Sequence, residues 1–178
     1  MAGVAGKQPR LVGLAIEAST HRQLQEKTDL MDVPESMKAE LATWNHGAGI
    51  SLEGWISCMG GFSLAVGYST VFWPGFVAFE RYILLEGFSK ESLRGFERGP
   101  GATRQSVEAV MNHLHLADIH GFHDGIAADK LIFLGTVLRQ IYQAKLQWQF
   151  PDRRFVVELF IPETNDIEDY QLSFWQAD

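Results

Sequence analysis

Disulfide bonding within the chain is excluded at once, because there is a single cysteine, Cys58. That usage suits a reducing compartment. Cations are also scarce: 15 Lys and Arg stand against 22 Asp and Glu, for a net charge of −7. Arg153-Arg154 is the only adjacent Lys/Arg pair. A chain this acidic is repelled by phosphate backbones, so no nucleic acid partner is expected. No apolar stretch of signal-peptide length follows the opening MAGVAGKQPR, no internal repeat is visible and no low-complexity tract interrupts the sequence. These absences lead to the expectation of a cytoplasmic protein of 178 residues with a core large enough to need no metal or disulfide.

The longest feature is itself an absence. From Gly54 to Phe79 there is no Asp, Glu, Lys, Arg or His. The run is long enough for a bilayer, which needs about 20 apolar residues in one helix. Its composition points elsewhere: Gly54, Gly60, Gly61, Gly67, Gly75 and Pro74 break it, Ser57, Ser63, Ser69 and Thr70 punctuate it, and Glu53 and Glu80-Arg81 flank it without a basic cluster. The reading is three short buried helices, Leu52–Met59, Phe62–Phe72 and Pro74–Phe88, at the centre of a soluble core, with no membrane involved. On that reading Cys58 is an inert core thiol, and the five tryptophans (44, 55, 73, 148, 175) are packing residues.

Elsewhere, residues 1–31 read as an N-terminal arm or edge element, with Leu11 to Ile16 an edge strand or the start of a helix. Residues 32–178 read as one globular domain. Asp32 is the expected N-cap of a helix carrying Met37, Leu41 and Trp44. Ser89 starts a short helix that ends by Gly99-Pro100-Gly101. Thr103 caps a helix striped by Val107, Val110, Met111, Leu114 and Ala117. Asp129 to Gln149 is the longest helix, with Leu131, Leu134, Leu138, Ile141, Tyr142 and Trp148 on one side. After Pro151 the period changes to two: Phe155, Val157, Leu159 and Ile161, then Tyr170, Leu172 and Phe174, form an antiparallel hairpin. The fold class is therefore α+β: a mostly helical single domain with a C-terminal antiparallel β-hairpin packed on the helices. An N-terminal strand completing a small sheet is a further option.

Four histidines crowd one segment, NHLHLADIHGFHDG, with His113, His115, His120 and His123 beside Asp118 and Asp124. Neutral imidazoles and carboxylates are ligands for zinc and other transition metals. The i, i+4 histidine pair of a helical site is missing, and His113 and His120 lie about 10 Å apart along a helix. The candidate metal set is therefore His120, His123 and Asp124, with His115, His113 or His46 nearby. The plainer reading is that His113 and His115 flank the apolar stripe, each donating one hydrogen bond and packing its ring, with His120 favoured by a helix C-terminus. Glu108, Asn112 and His115 share a helix side at i, i+4, i+7. They form a proton relay or, more simply, a buried polar tie to a neighbouring element.

Gly61-Phe62-Ser63-Leu64-Ala65 approximates a nucleophile elbow but lacks the preceding strand. Gly47-Ala48-Gly49 reads as a helix–helix loop. Glu163, Asp166, Glu168 and Asp169, near Glu158, make the hairpin loop acidic, suited either to a basic partner or to a solvated edge. The expectation is a small cytoplasmic binding protein without catalysis, of inhibitor or immunity type, that engages a basic protein through the acidic hairpin; a homodimer is compatible. The alternative is a metal-dependent hydrolase using the His113–Asp124 cluster.

Overall fold

The period-two pattern at the C-terminus becomes strand β4, Phe155–Phe160, paired antiparallel with β5, Gln171–Gln176, in the register Phe155↔Gln176 to Phe160↔Gln171. The protein is described by a computed structural model over residues 32–120, 125–164 and 166–177. The described elements lie in the compact unit Val33–Asp178. Phe155 and Val157 on one strand and Leu172 and Phe174 on the other are buried, while Val156, Glu158 and Phe160 face out. A two-residue strand, Leu114–His115 (β3), pairs with the other edge of β5, giving the order β3-β5-β4. Residues 11–16, the suggested N-terminal strand, lie outside the described residues.

The longest helix, Ala128–Gln149, covers this sheet; Leu131, Leu138, Tyr142 and Leu146 join the strand side chains in the main core. Its interior glycine has a packing reason. A Cβ on Gly135 would stand 2.5 Å from Leu159 Cδ1 and 2.7 Å from Leu116 Cδ1, so only a glycine lets sheet and helix approach this closely. Trp148, expected inside, is 72% exposed at the helix end.

A second, smaller cluster holds Tyr82, Leu84, Leu93 and Val107. Here the expected helix Pro74–Phe88 is wrong: the segment is a hairpin of β1, Phe76–Phe79, and β2, Tyr82–Leu85. Two four-residue apolar runs rich in aromatic and β-branched residues, split by Glu80-Arg81, suit strands as well as a buried helix, and periodicity cannot separate the two at this length. The helix Lys90–Glu97 starts where expected, and Ser89 proves to be its cap, the side chain accepting from Ser92 N. The next, Arg104–Met111, carries the Thr103 cap and a capping box with Ser106. It stops at Met111, short of the expected Ala117; Asn112 ends it, Leu114–His115 is β3, and Leu116–Ile119 is a 3₁₀ turn.

Before these elements, the helix Glu35–Ala42 has Pro34, not Asp32, at its N-cap position, and the short helix Trp44–Gly47 turns away because Asn45 and His46 take φ of 52° and 58°. In chain order we denote the helices α1 (Glu35–Ala42), α2 (Trp44–Gly47), α3 (Leu52–Met59), α4 (Phe62–Phe72), α5 (Lys90–Glu97), α6 (Arg104–Met111) and α7 (Ala128–Gln149).

The bounds of α3 and α4 match expectation; their environment does not. Neither helix contains a buried residue. Phe62 is 94% exposed and Val66 70%, and Ile56, Met59 and Leu64 are each more than half exposed. Cys58 is exposed as well, not a core thiol, and Trp73 stands out from the surface. Only the end of the run, with Val71, Phe72 and Phe76, reaches the main core. The interior is filled instead by α7 and the strands. Among the described residues no single helix is long and apolar enough to cross a membrane. The pair α3 and α4, bent by 119° at Gly60-Gly61, meets the apolar criterion only when taken together.

Candidate docking surface

The apolar pair is built by ordinary local rules. Ser51 caps α3 by accepting from Gly54 N at 3.1 Å. The turn at Gly60 requires glycine, since a Cβ there would fall 2.5 Å from the Ile56 carbonyl oxygen. Three hydroxyls along these helices bond back to their own backbone: Ser57 to the Glu53 carbonyl at 2.9 Å, Ser69 to Val66 at 2.7 Å and Thr70 to Gly67 at 2.8 Å. An apolar cleft of about 440 Å³ opens between the helices, lined by Trp55, Met59, Phe62, Leu64, Ala65 and Tyr68. The Trp55 Nε1–H is buried and has no hydrogen-bond partner among the described residues.

One face of α7 anchors the base of this pair. The Tyr142 hydroxyl donates to the Val71 carbonyl at 3.1 Å. Lys145 Nζ donates to the Trp73 carbonyl at 3.2 Å and to that of Pro74, with the Trp73 ring 4.8 Å away. Gln149 Nε2 donates to the Phe76 carbonyl at 2.7 Å, and the Trp148 and Trp73 rings lie 6.2 Å apart. Burial pushes the Tyr142 hydroxyl up to about 12. Burial likewise holds the Lys145 ammonium below its ordinary value, against the opposing pull of Glu86. A cation among Leu138, Tyr142 and Leu146 is a visible oddity in the apolar stripe, and it marks this anchor.

Glu108 and Asn112 form a buried tie rather than a relay. Glu108 is fully buried; its carboxylate accepts from Ile83 N at 2.7 Å, from Gln176 N at 2.8 Å and from Gln176 Nε2. Asn112 accepts from Leu85 N at 3.0 Å and donates to the carbonyls of Ile83 at 2.9 Å and Phe174 at 3.2 Å. The free edge of β2 and the free end of β5 are thus joined through two side chains of α6, which supply what a neighbouring strand would have supplied. His115 does not belong to this tie: it lies in β3, where Nδ1 meets the Glu168 carbonyl at 2.8 Å. Gln176 was not singled out from sequence, although a polar residue at the inward position after Leu172 and Phe174 was its signal.

The histidines scatter. His113 Nδ1 lies 2.5 Å from the Val110 carbonyl, and its ring is 5.1 Å from that of His115. His120 packs edge-on against Tyr68 at 5.3 Å, with Nε2 hydrogen-bonded to the hydroxyl. His46 is exposed beyond α1. Among the described residues no three of His, Cys, Asp and Glu are placed to hold a metal ion; His123 and Asp124 lie outside them. Ser63 sits in the first turn of α4 with helix before it, not a strand. Glu158, Glu163, Asp166, Glu168 and Asp169 are all exposed, and Asp166 accepts from Glu168 N to start a 3₁₀ turn. No family model, curated protein or solved structure matches this chain.

Proposed function

We propose that this chain is a non-catalytic binding protein whose docking element is the apolar pair α3–α4. What supports the reading is the joint exposure of Ile56, Met59, Phe62, Leu64 and Val66 on two adjoining short helices. Contiguous exposed apolar surface of this kind marks an interaction site. The chemistry-bearing groups point the same way, because they are committed to the fold: Glu108 and Asn112 to backbone groups, His115 to the Glu168 carbonyl and His120 to Tyr68. The test compares wild type with Phe62→Glu/Val66→Glu in native cell extract by sedimentation. The reading expects wild type to run well above 20.0 kDa or to pellet, and the variant to run as a monomer. Identical monomeric behaviour of the two would refute it.

A second reading rests on the five exposed carboxylates around the β4–β5 loop, which would steer a basic protein partner to that edge. Association driven this way weakens as salt rises, whereas docking through α3–α4 does not. Replacing Glu163, Asp166, Glu168 and Asp169 by their amides should therefore abolish any salt-sensitive component. Its persistence in that variant would remove this reading.

A further inference from the structure

We infer that the surface α3–α4 enters is the hydrocarbon of a lipid bilayer, entered and left from one side as a re-entrant hairpin. This rests on the docking reading above and names its occupant. Length rules the mode. Helices of eight and eleven residues are roughly 12 and 16 Å long, short of the ~30 Å hydrocarbon thickness, and the 119° bend returns the chain to the side it came from.

Three observations select lipid over a protein groove. First, the apolar character of α4 is not confined to one face; Ser63, Gly67 and Thr70 interrupt it along a narrow strip. At about 100° per residue, Leu64 points roughly opposite to Phe62 and Val66, yet all three are exposed. A groove covers one face of a helix; acyl chains cover every face. Second, Ser57, Ser69 and Thr70 already spend their hydroxyl donors on their own backbone, so few donors, chiefly the Ser63 hydroxyl and the Trp55 Nε1–H, are left to meet in a medium without water. Third, the charges match. From Gly54 to Phe79 the chain is uncharged, which fits an uncharged occupant, while the −7 of the whole chain favours zwitterionic over anionic headgroups. Trp73 and Trp148, paired at the base of the hairpin and both more than half exposed, sit where interfacial tryptophans sit. The sequence-based exclusion of a membrane assumed that the run was buried within the chain, and that premise fails here.

The experiment is flotation of the purified full chain with phosphatidylcholine vesicles, with and without phosphatidylserine. Wild type should float with phosphatidylcholine, independent of salt and less well once phosphatidylserine is added. Phe62→Glu/Val66→Glu should lose apparent affinity roughly a hundredfold, with an unchanged melting temperature because both side chains are exposed. Wild type that stays unbound but sediments as a dimer would overturn the bilayer and leave docking, with a second copy as occupant. Wild type that neither floats nor self-associates, like the variant, would overturn the bilayer, and docking itself would be overturned only if wild type and variant also ran alike as monomers in native extract.

Discussion

Replacing Glu108 by alanine removes the acceptor that two buried backbone donors share. Ile83 N–H and Gln176 N–H bond to the carboxylate at 2.7 and 2.8 Å, and among the described residues neither has a strand neighbour on the edge that faces Glu108. Gln176 Nε2 retains its bond to the Arg81 carbonyl at 3.0 Å, so the side-chain amide loses least. Two orphaned backbone donors at about 1–3 kcal/mol each give roughly 2–6 kcal/mol. Against a total stability of about 5–15 kcal/mol that is a large fraction. At about 2–4 °C per kcal/mol for a chain of this size, the midpoint should fall by roughly 5–20 °C. Glu108→Gln retains the volume and one good acceptor but turns an NH2 toward one of the two donors, so about 1–3 kcal/mol is expected. Urea and thermal unfolding measure both. Because Asn112 closes on the same residue, Ile83, the Glu108→Ala and Asn112→Ala losses should not add. A Glu108→Ala chain within about 0.5 kcal/mol of wild type would mean that water replaces the carboxylate at no cost, and the tie would not hold the two sheets together.

Gly135→Ala puts a Cβ into Leu159 and Leu116 and should destabilise by about 1–2 kcal/mol net of helix propensity, whereas Gly67→Ala, with nothing within 4 Å, should stabilise by up to about 1 kcal/mol in the same melts. Asp129 accepts from the Ser36 hydroxyl at 2.5 Å and from Ser36 N at 2.9 Å, which holds its carboxyl below the ordinary 3.8. The folded value is depressed, so the α1–α7 tie is at full strength above about pH 4 and is lost as pH falls through the folded value; wild type should lose more stability than Ser36→Ala on acidification from about pH 6 to 3. Tyr142 is raised by burial from 10.0 to about 12. Its contribution is therefore complete below pH 10 and is lost as pH rises toward 12, and Tyr142→Phe should flatten that alkaline decline in unfolding titrations.

How far the sequence carries depends on which partner buries each pattern. The β4–β5 hairpin and α7 were legible because period two and period 3.6 repeat over six and 22 residues, and each stripe is buried by the other. The Thr103 cap and the helix start at Ser89 were legible because capping is local. Phe76–Leu85 was not, since two runs of four apolar residues carry no period long enough to separate strand from helix. The end of α6 was hidden for another reason: Leu114 and Ala117 continue its stripe by register, but Asn112 is drawn to Ile83, Leu85 and Phe174, and the helix stops there. Of the candidate site, Glu108 and Asn112 were visible as an i, i+4 pair, while Lys145 and Gln176 lay unremarked as polar residues inside apolar stripes.

The misreading of α3–α4 has the same root in its strongest form. Hydropathy states that a segment prefers to leave water; it does not state whose atoms receive it. Among the described residues the interior places are taken, because α7 meets the sheet so closely that even a methyl at Gly135 would meet Leu159 and Leu116, and the second cluster closes on Tyr82, Leu84, Leu93 and Val107. What remains for Leu52–Phe72 is attachment along the second half of α4, through Tyr68 against His120, Val71, Phe72 and the Tyr142 bond, with Lys145 holding the Trp73-Pro74 turn just beyond. Helices of eight and eleven residues are shorter than the ~12–15 at which isolated helices become even marginal in water, and most helical stability in proteins comes from packing. These two have helical backbones and self-bonded hydroxyls but almost no packing, a combination that is complete only when something apolar closes around it.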